Sequence, residues 1–104
     1  MIQIEIIKRK DRIRKLTCRG HAGFADRGSD LVCAGISSIL FGALNGLDEM
    51  FAADVKLKAD NSCIEIDVCN DSDLLFQVLG FIQIQLQTVE EMYSEFVRIV
   101  QKEV

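Results

Sequence analysis

The sequence predicts a two-layer α+β fold, a mostly antiparallel sheet of about five strands with two long helices on one face. Several short segments alternate apolar and polar residues, the period of a half-buried strand. Two longer segments repeat apolar residues at steps of three and four, the period of an amphipathic helix. They follow one another as β-β-α-β-β-α-β. With 104 residues, 49% of them apolar, one core can form, so residues 1–104 read as a single domain.

Ile2, Ile4 and Ile6 alternate with Gln3 and Glu5, giving a first strand over residues 2–8. A polar turn around Lys10 and Asp11 leads into a second extended segment, 12–19, in which Leu16 and Cys18 share a face. Residues 20–30 hold Gly20, Gly23 and Gly28 without periodicity and read as a loop. Its glycines make an open ensemble accessible, so the loop is expected to close over a bound peptide. Val32, Ile36, Ile39, Ala43, Leu47 and Met50 then form the stripe of a helix over 30–51, with Ser29 or Asp30 as N-cap. Gly35, Gly42 and Gly46 each weaken that helix by about 1 kcal/mol relative to alanine, so packing must hold it.

Val55, Leu57 and Ala59 alternate with lysines, Asp60 and Asn61 turn the chain, and Ile64, Ile66 and Val68 alternate with Glu65 and Asp67, a second hairpin. Asn70, Asp71 and Ser72 offer caps for a helix over 72–92. Its stripe is Leu75, Leu79, Ile82, Leu86, Val89 and Tyr93, with Glu90 and Glu91 on a solvated face. The β-branched Val97, Ile99 and Val100 favour a closing strand over a helical continuation. Strand order is not written in these local patterns.

A net charge of −4 and a pI near 4.9 disfavour phosphate backbones, so no direct nucleic-acid binding is expected. The basic cluster Lys8, Arg9, Lys10, Arg12, Arg14 and Lys15 could touch RNA, but a solvated hairpin turn explains the same residues. The N-terminus lacks a charged n-region and a long apolar core. No run approaches the roughly 18 apolar residues of a membrane span, so a cytoplasmic location is expected, with Cys18, Cys33, Cys63 and Cys69 reduced. Spare apolar surface on so small a domain suggests a homodimer.

His21 is the sole histidine, and Cys33, counting Asp30 as the cap, falls in the first helical turn. Unpaired backbone N–H groups and the helix dipole there favour a thiolate by up to about 1 kcal/mol and could hold an oxyanion. Asp30 beside a thiolate would repel it, and fits better as a cap or an orienter of His21. A surface histidine and a small core cysteine explain the same spacing without chemistry. Cys18-x-x-His21 also resembles half of a zinc site that Cys33, Cys63 or Cys69 could complete, although core filling accounts for Cys18. No metal or other cofactor is expected.

Gly20-His21-Ala22, Gly28-Ser29-Asp30-Leu31-Val32-Cys33-Ala34, Ser37 and Ala43-Leu44-Asn45-Gly46-Leu47 together resemble the ribosomal-processing cysteine protease family, Prp. The match is close over residues 20–47 and extends in length and element order to the rest. Gly35 and Ser94 depart from it, where the family pattern suggests alanine and proline. The resemblance implies a small dimeric α+β thiol protease that removes a short N-terminal extension from large-subunit ribosomal protein twenty-seven. It implies Cys33 as nucleophile and His21 as base and then acid, supported by Gly20, Asp30 and Ser37. The competing reading is a non-enzymatic dimeric module associated with the ribosome. Alkylation of Cys33 below about pH 8 would separate the two.

Overall fold

The computed structural model describes residues 1–20, 29–60 and 62–104, with Ser29 and Asp30 in backbone only. Its elements follow the expected order: β1 (Ile2–Arg9), β2 (Arg12–Arg19), α1 (Ser29–Phe51), β3 (Val55–Ala59), β4 (Cys63–Val68), α2 (Asp73–Met92) and β5 (Val97–Glu103). The sheet order is β3-β4-β2-β1-β5. All neighbours are antiparallel except β1 and β5, which run parallel.

Lys10 and Asp11 both have positive φ, 52° and 63°, so the β1–β2 turn twists with its strands. Pairing between these strands steps from Ile7↔Lys15 to Lys8↔Ile13, leaving Arg14 as the extra residue of a bulge. The bulge lets Ile13 and Leu16 both point inward despite their odd spacing, and both are buried.

Register sorts the sheet into two faces. Ile4, Cys18 and Ile64 lie side by side, as do Ile6, Leu16 and Ile66; all six are essentially inaccessible and pack under the helices. The opposite face carries the row Lys58, Glu65, Thr17, Glu5 and Val100, flanked by Arg19 with Gln3 and by Lys15 with Asp67.

Helix α2 buries Leu75, Leu79, Ile82 and Leu86 as its periodicity requires. Ser72 lies just outside as N-cap, its hydroxyl accepting from the Leu75 N–H at 3.2 Å. On α1 the buried residues are Val32, Ile36, Leu40, Leu47 and Phe51. Ile39 and Ala43 are only partly buried and Met50 is 64% exposed, so the stripe read from sequence is rotated from the face that meets the sheet. Those three residues line the groove between α1 and α2 instead. Because α1 is apolar on more than one side, its period alone cannot choose which side is covered.

Two further expectations are corrected. Glu90, read as part of a solvated face, accepts the Ile99 N–H at 2.6 Å, because edge strand β5 leaves that donor unpaired beside α2. Leu31–Phe51 is long and apolar enough to cross a membrane by length and composition. Its charges, Asp48 and Glu49, cluster near one end, and in this fold it serves as a core helix.

Candidate active site

Strand β2 ends at Arg19, and Gly20 follows with φ of 82°, a conformation that L side chains rarely adopt. A Cβ on Gly20 would stand 2.5 Å from the Met1 carbonyl oxygen. Glycine is therefore required here twice over, by dihedral and by space. The chain thus leaves the sheet toward His21 along a path pressed against its own N-terminus. His21 itself, and the expected loop closure, fall outside the described residues.

Helix α1 begins at Ser29, earlier than either expected cap allows, so Cys33 is its fifth residue rather than a member of the first turn. The Cys33 N–H is then inside the hydrogen-bonded ladder, and the unpaired amides lie one turn before it. Cα–Cβ bonds in a helix tilt toward the N-terminus, which inclines the Cys33 side chain back toward that first turn. The thiol is partly buried and packs against the core. Ser37, one turn further on, shares its face and is also partly buried. Asp30 is placed in the first turn of α1 by its backbone, and its side chain is outside the described residues.

No disulfide joins the four cysteines, and they differ sharply in setting. Cys18 is fully buried; loss of hydration pushes its thiol up to about 12, with the neighbouring Cys33 and Cys63 adding to the effect. Such a thiol is core filling, as the sequence suggested. Cys63 is buried at the start of β4, its thiol donating to Glu65 Oε1 at 3.9 Å, while Cys69 is exposed after β4. Sequence reasoning missed that Cys18 has both Cys33 and Cys63 as neighbours, since the three come from different elements. Among the described residues, no three His, Cys, Asp or Glu side chains are placed to hold a metal ion.

A family model described as cysteine protease Prp matches residues 1–98. The chain belongs to the Prp cysteine protease family. It is a cysteine protease, and the family's curated members carry the name ribosomal processing protease. One of them, from Mycoplasma pneumoniae, is 35% identical over 83 residues, spanning 80% of this chain and 82% of its own. The crystal structure of the Staphylococcus aureus Prp protease in complex with a substrate peptide is 27% identical, with a TM-score of 0.90 over 98% of this chain and all of that one. A second S. aureus Prp structure, with a covalently linked product peptide, is 28% identical with a TM-score of 0.85 over the same shares. Membership removes the non-enzymatic module as a description of the chain and agrees with the α+β architecture built above.

Proposed function

We propose that this Prp-family protease removes the short N-terminal extension of large-subunit ribosomal protein twenty-seven during ribosome assembly in the cytoplasm. Cys33 is the nucleophile, and the observation that carries this choice is its setting. It alone combines partial exposure with a place one turn from a helix N-terminus, whereas Cys18 and Cys63 are buried and Cys69 lies outside any helix. The substrate and product peptides bound by the S. aureus relative support peptide-bond cleavage of this kind.

In the proposed reaction His21 takes the thiol proton, and the Cys33 sulfur attacks the scissile carbonyl carbon. The first-turn amides of α1 stabilise the resulting oxyanion. The carbon–nitrogen bond breaks as His21 protonates the leaving amine. Water, deprotonated by His21, then hydrolyses the thioester and returns the Cys33 thiol. Gly20 supports His21 by fixing the chain path, Asp30 supports the first turn, and Ser37 lies beside Cys33 on the helix face.

Incubating the protein and its Cys33→Ala variant with the extended ribosomal protein, and reading the new N-terminus by mass spectrometry, tests the reading. The wild type is expected to release the extension and Cys33→Ala to release none, with an unchanged circular dichroism spectrum. Full cleavage by Cys33→Ala would overturn the assignment.

The partner reading is a homodimer formed through the helix layer. Phe41 and Met50 on α1 and Phe81 and Ile84 on α2 are 51–66% exposed, and Met50 also lines a groove of about 440 Å³ between the two helices. Exposed apolar side chains of this size on the helix layer favour a second copy as their cover.

A further inference from the structure

The charges of this protein are segregated by layer. Helices α1 and α2 contain Asp30, Asp48, Glu49, Asp73, Glu90 and Glu91 and not one lysine or arginine. The strands and the β1–β2 turn hold eleven lysines and arginines against only Glu5, Asp11, Glu65, Asp67 and Glu103. The helices therefore sum to −6 and the strands with the turn to +6, so the net charge of −4 comes from the remaining loop residues and hides both. Stacked layers lie roughly 10 Å apart, more than the Debye length of about 8 Å at physiological salt. A ligand at the sheet therefore meets mainly the sheet's own charge.

Arg9, Lys10, Arg19, Lys56, Lys58 and Arg98 are exposed and make no ion pair among the described residues. At the hairpin tip Arg9, Lys10, Arg12 and Arg14 surround a concavity of about 270 Å³, with Asp71 the one acid among the described residues of its lining. Arg12 is held there by Asp71 at 2.5 Å and Asp73 at 3.3 Å, with its guanidinium 4.5 Å from the Phe76 ring centre. The Arg14 guanidinium donates to the Val68 carbonyl at 3.4 Å. These contacts order the cradle before any ligand arrives.

We propose that the basic sheet face and the hairpin-tip cradle bind the phosphate backbone of RNA. An anionic membrane fits less well, because the large exposed apolar side chains Phe41, Met50, Phe81 and Ile84 belong to the helices, on the opposite side from the cations. A protein partner fits less well because the strands carry no aromatic residue, and protein interfaces are enriched in aromatics and depleted in lysine. The same lack of aromatics removes base stacking and leaves the backbone as the recognised feature. The choice of RNA over DNA rests on the ribosomal reading above; the electrostatic argument does not.

Fluorescence anisotropy of the full chain with a labelled uridine 20-mer tests the proposal, with a DNA duplex and a glutamate 20-mer as competitors. Binding is expected to weaken more than tenfold between about 50 and 200 mM salt, as counterion release requires. The paired variants Arg9→Glu with Lys10→Glu, and Lys58→Glu with Arg98→Glu, are each expected to weaken it about tenfold and flatten the salt dependence. Cleavage of a short substrate peptide should be unchanged in both, showing that they fold. Gln77→Glu, which makes α2 more acidic, should leave RNA binding as it is. No RNA binding by the wild type at about 50 mM salt, binding by both paired variants as tight as that of the wild type, or tighter competition by polyglutamate or the DNA duplex than by unlabelled RNA would overturn the proposal.

Discussion

Gly20 is the residue where backbone geometry and chemistry meet. Placing alanine there combines a φ of 82° with a Cβ 2.5 Å from the Met1 carbonyl, so Gly20→Ala should lose at least about 1–2 kcal/mol of stability. The matching readout is a lower Tm together with a fall in peptide cleavage, since residue 21 follows directly; an unchanged Tm would contradict the close approach. Cys18 makes a second residue-scale prediction. Burial pushes its thiol up from an ordinary 9.0 to about 12, so the folded state holds the proton more tightly across that interval. That stabilisation is complete below pH 9 and is lost as pH rises from 9 toward 12. Melting curves across this range should decline in the wild type and less steeply in Cys18→Ala. On the acid side, hydrogen bonding to Arg12 holds the Asp71 carboxyl below its usual value, so its contribution is present above about pH 4 and fades as pH falls further.

Among the elements, α2 shows how local chemistry and tertiary contacts share the work. The Ser72 hydroxyl caps its start, and Ser72→Ala should cost about 1 kcal/mol, read as a lower urea midpoint at an unchanged m-value. Arg12 ties the β1–β2 tip to the same helix end through Asp71, Asp73 and Phe76, a contact between residues about 60 positions apart in the chain. The cap was legible because Ser72 precedes the apolar stripe. The Arg12 clamp was not, because nothing in a hairpin's sequence states which helix end will lie beside it. The start of α1 differs from the one its sequence predicts, for a local reason. Ser29 and Asp30 are both good caps, and the chain continues the helix through both, moving Cys33 from the first turn to the second.

For the whole molecule, α1 and α2 leave an apolar side uncovered while the sheet leaves a charged one. A helix-layer homodimer predicts that the wild type sediments as a dimer at micromolar concentration and that Phe81→Asp shifts it to monomer. Phe81 is 66% exposed, so that change should leave the fold intact. A monomeric wild type would exclude this interface.

By itself the sequence determined the strand and helix periods, their order, the turn at Lys10 and Asp11, the cap at Ser72, and a resemblance specific enough to point to Cys33 and His21. These are local properties, set by residues a few positions apart. Only the tertiary structure decided that β5 joins β1 in parallel, that Leu40 and Phe51 are buried while Ile39 is only partly covered and Met50 is exposed, and that Glu90 satisfies an edge-strand amide. It also separated the basic sheet from the acidic helices. These outcomes depend on which surfaces touch across the chain, and a net charge or a period averages over that information.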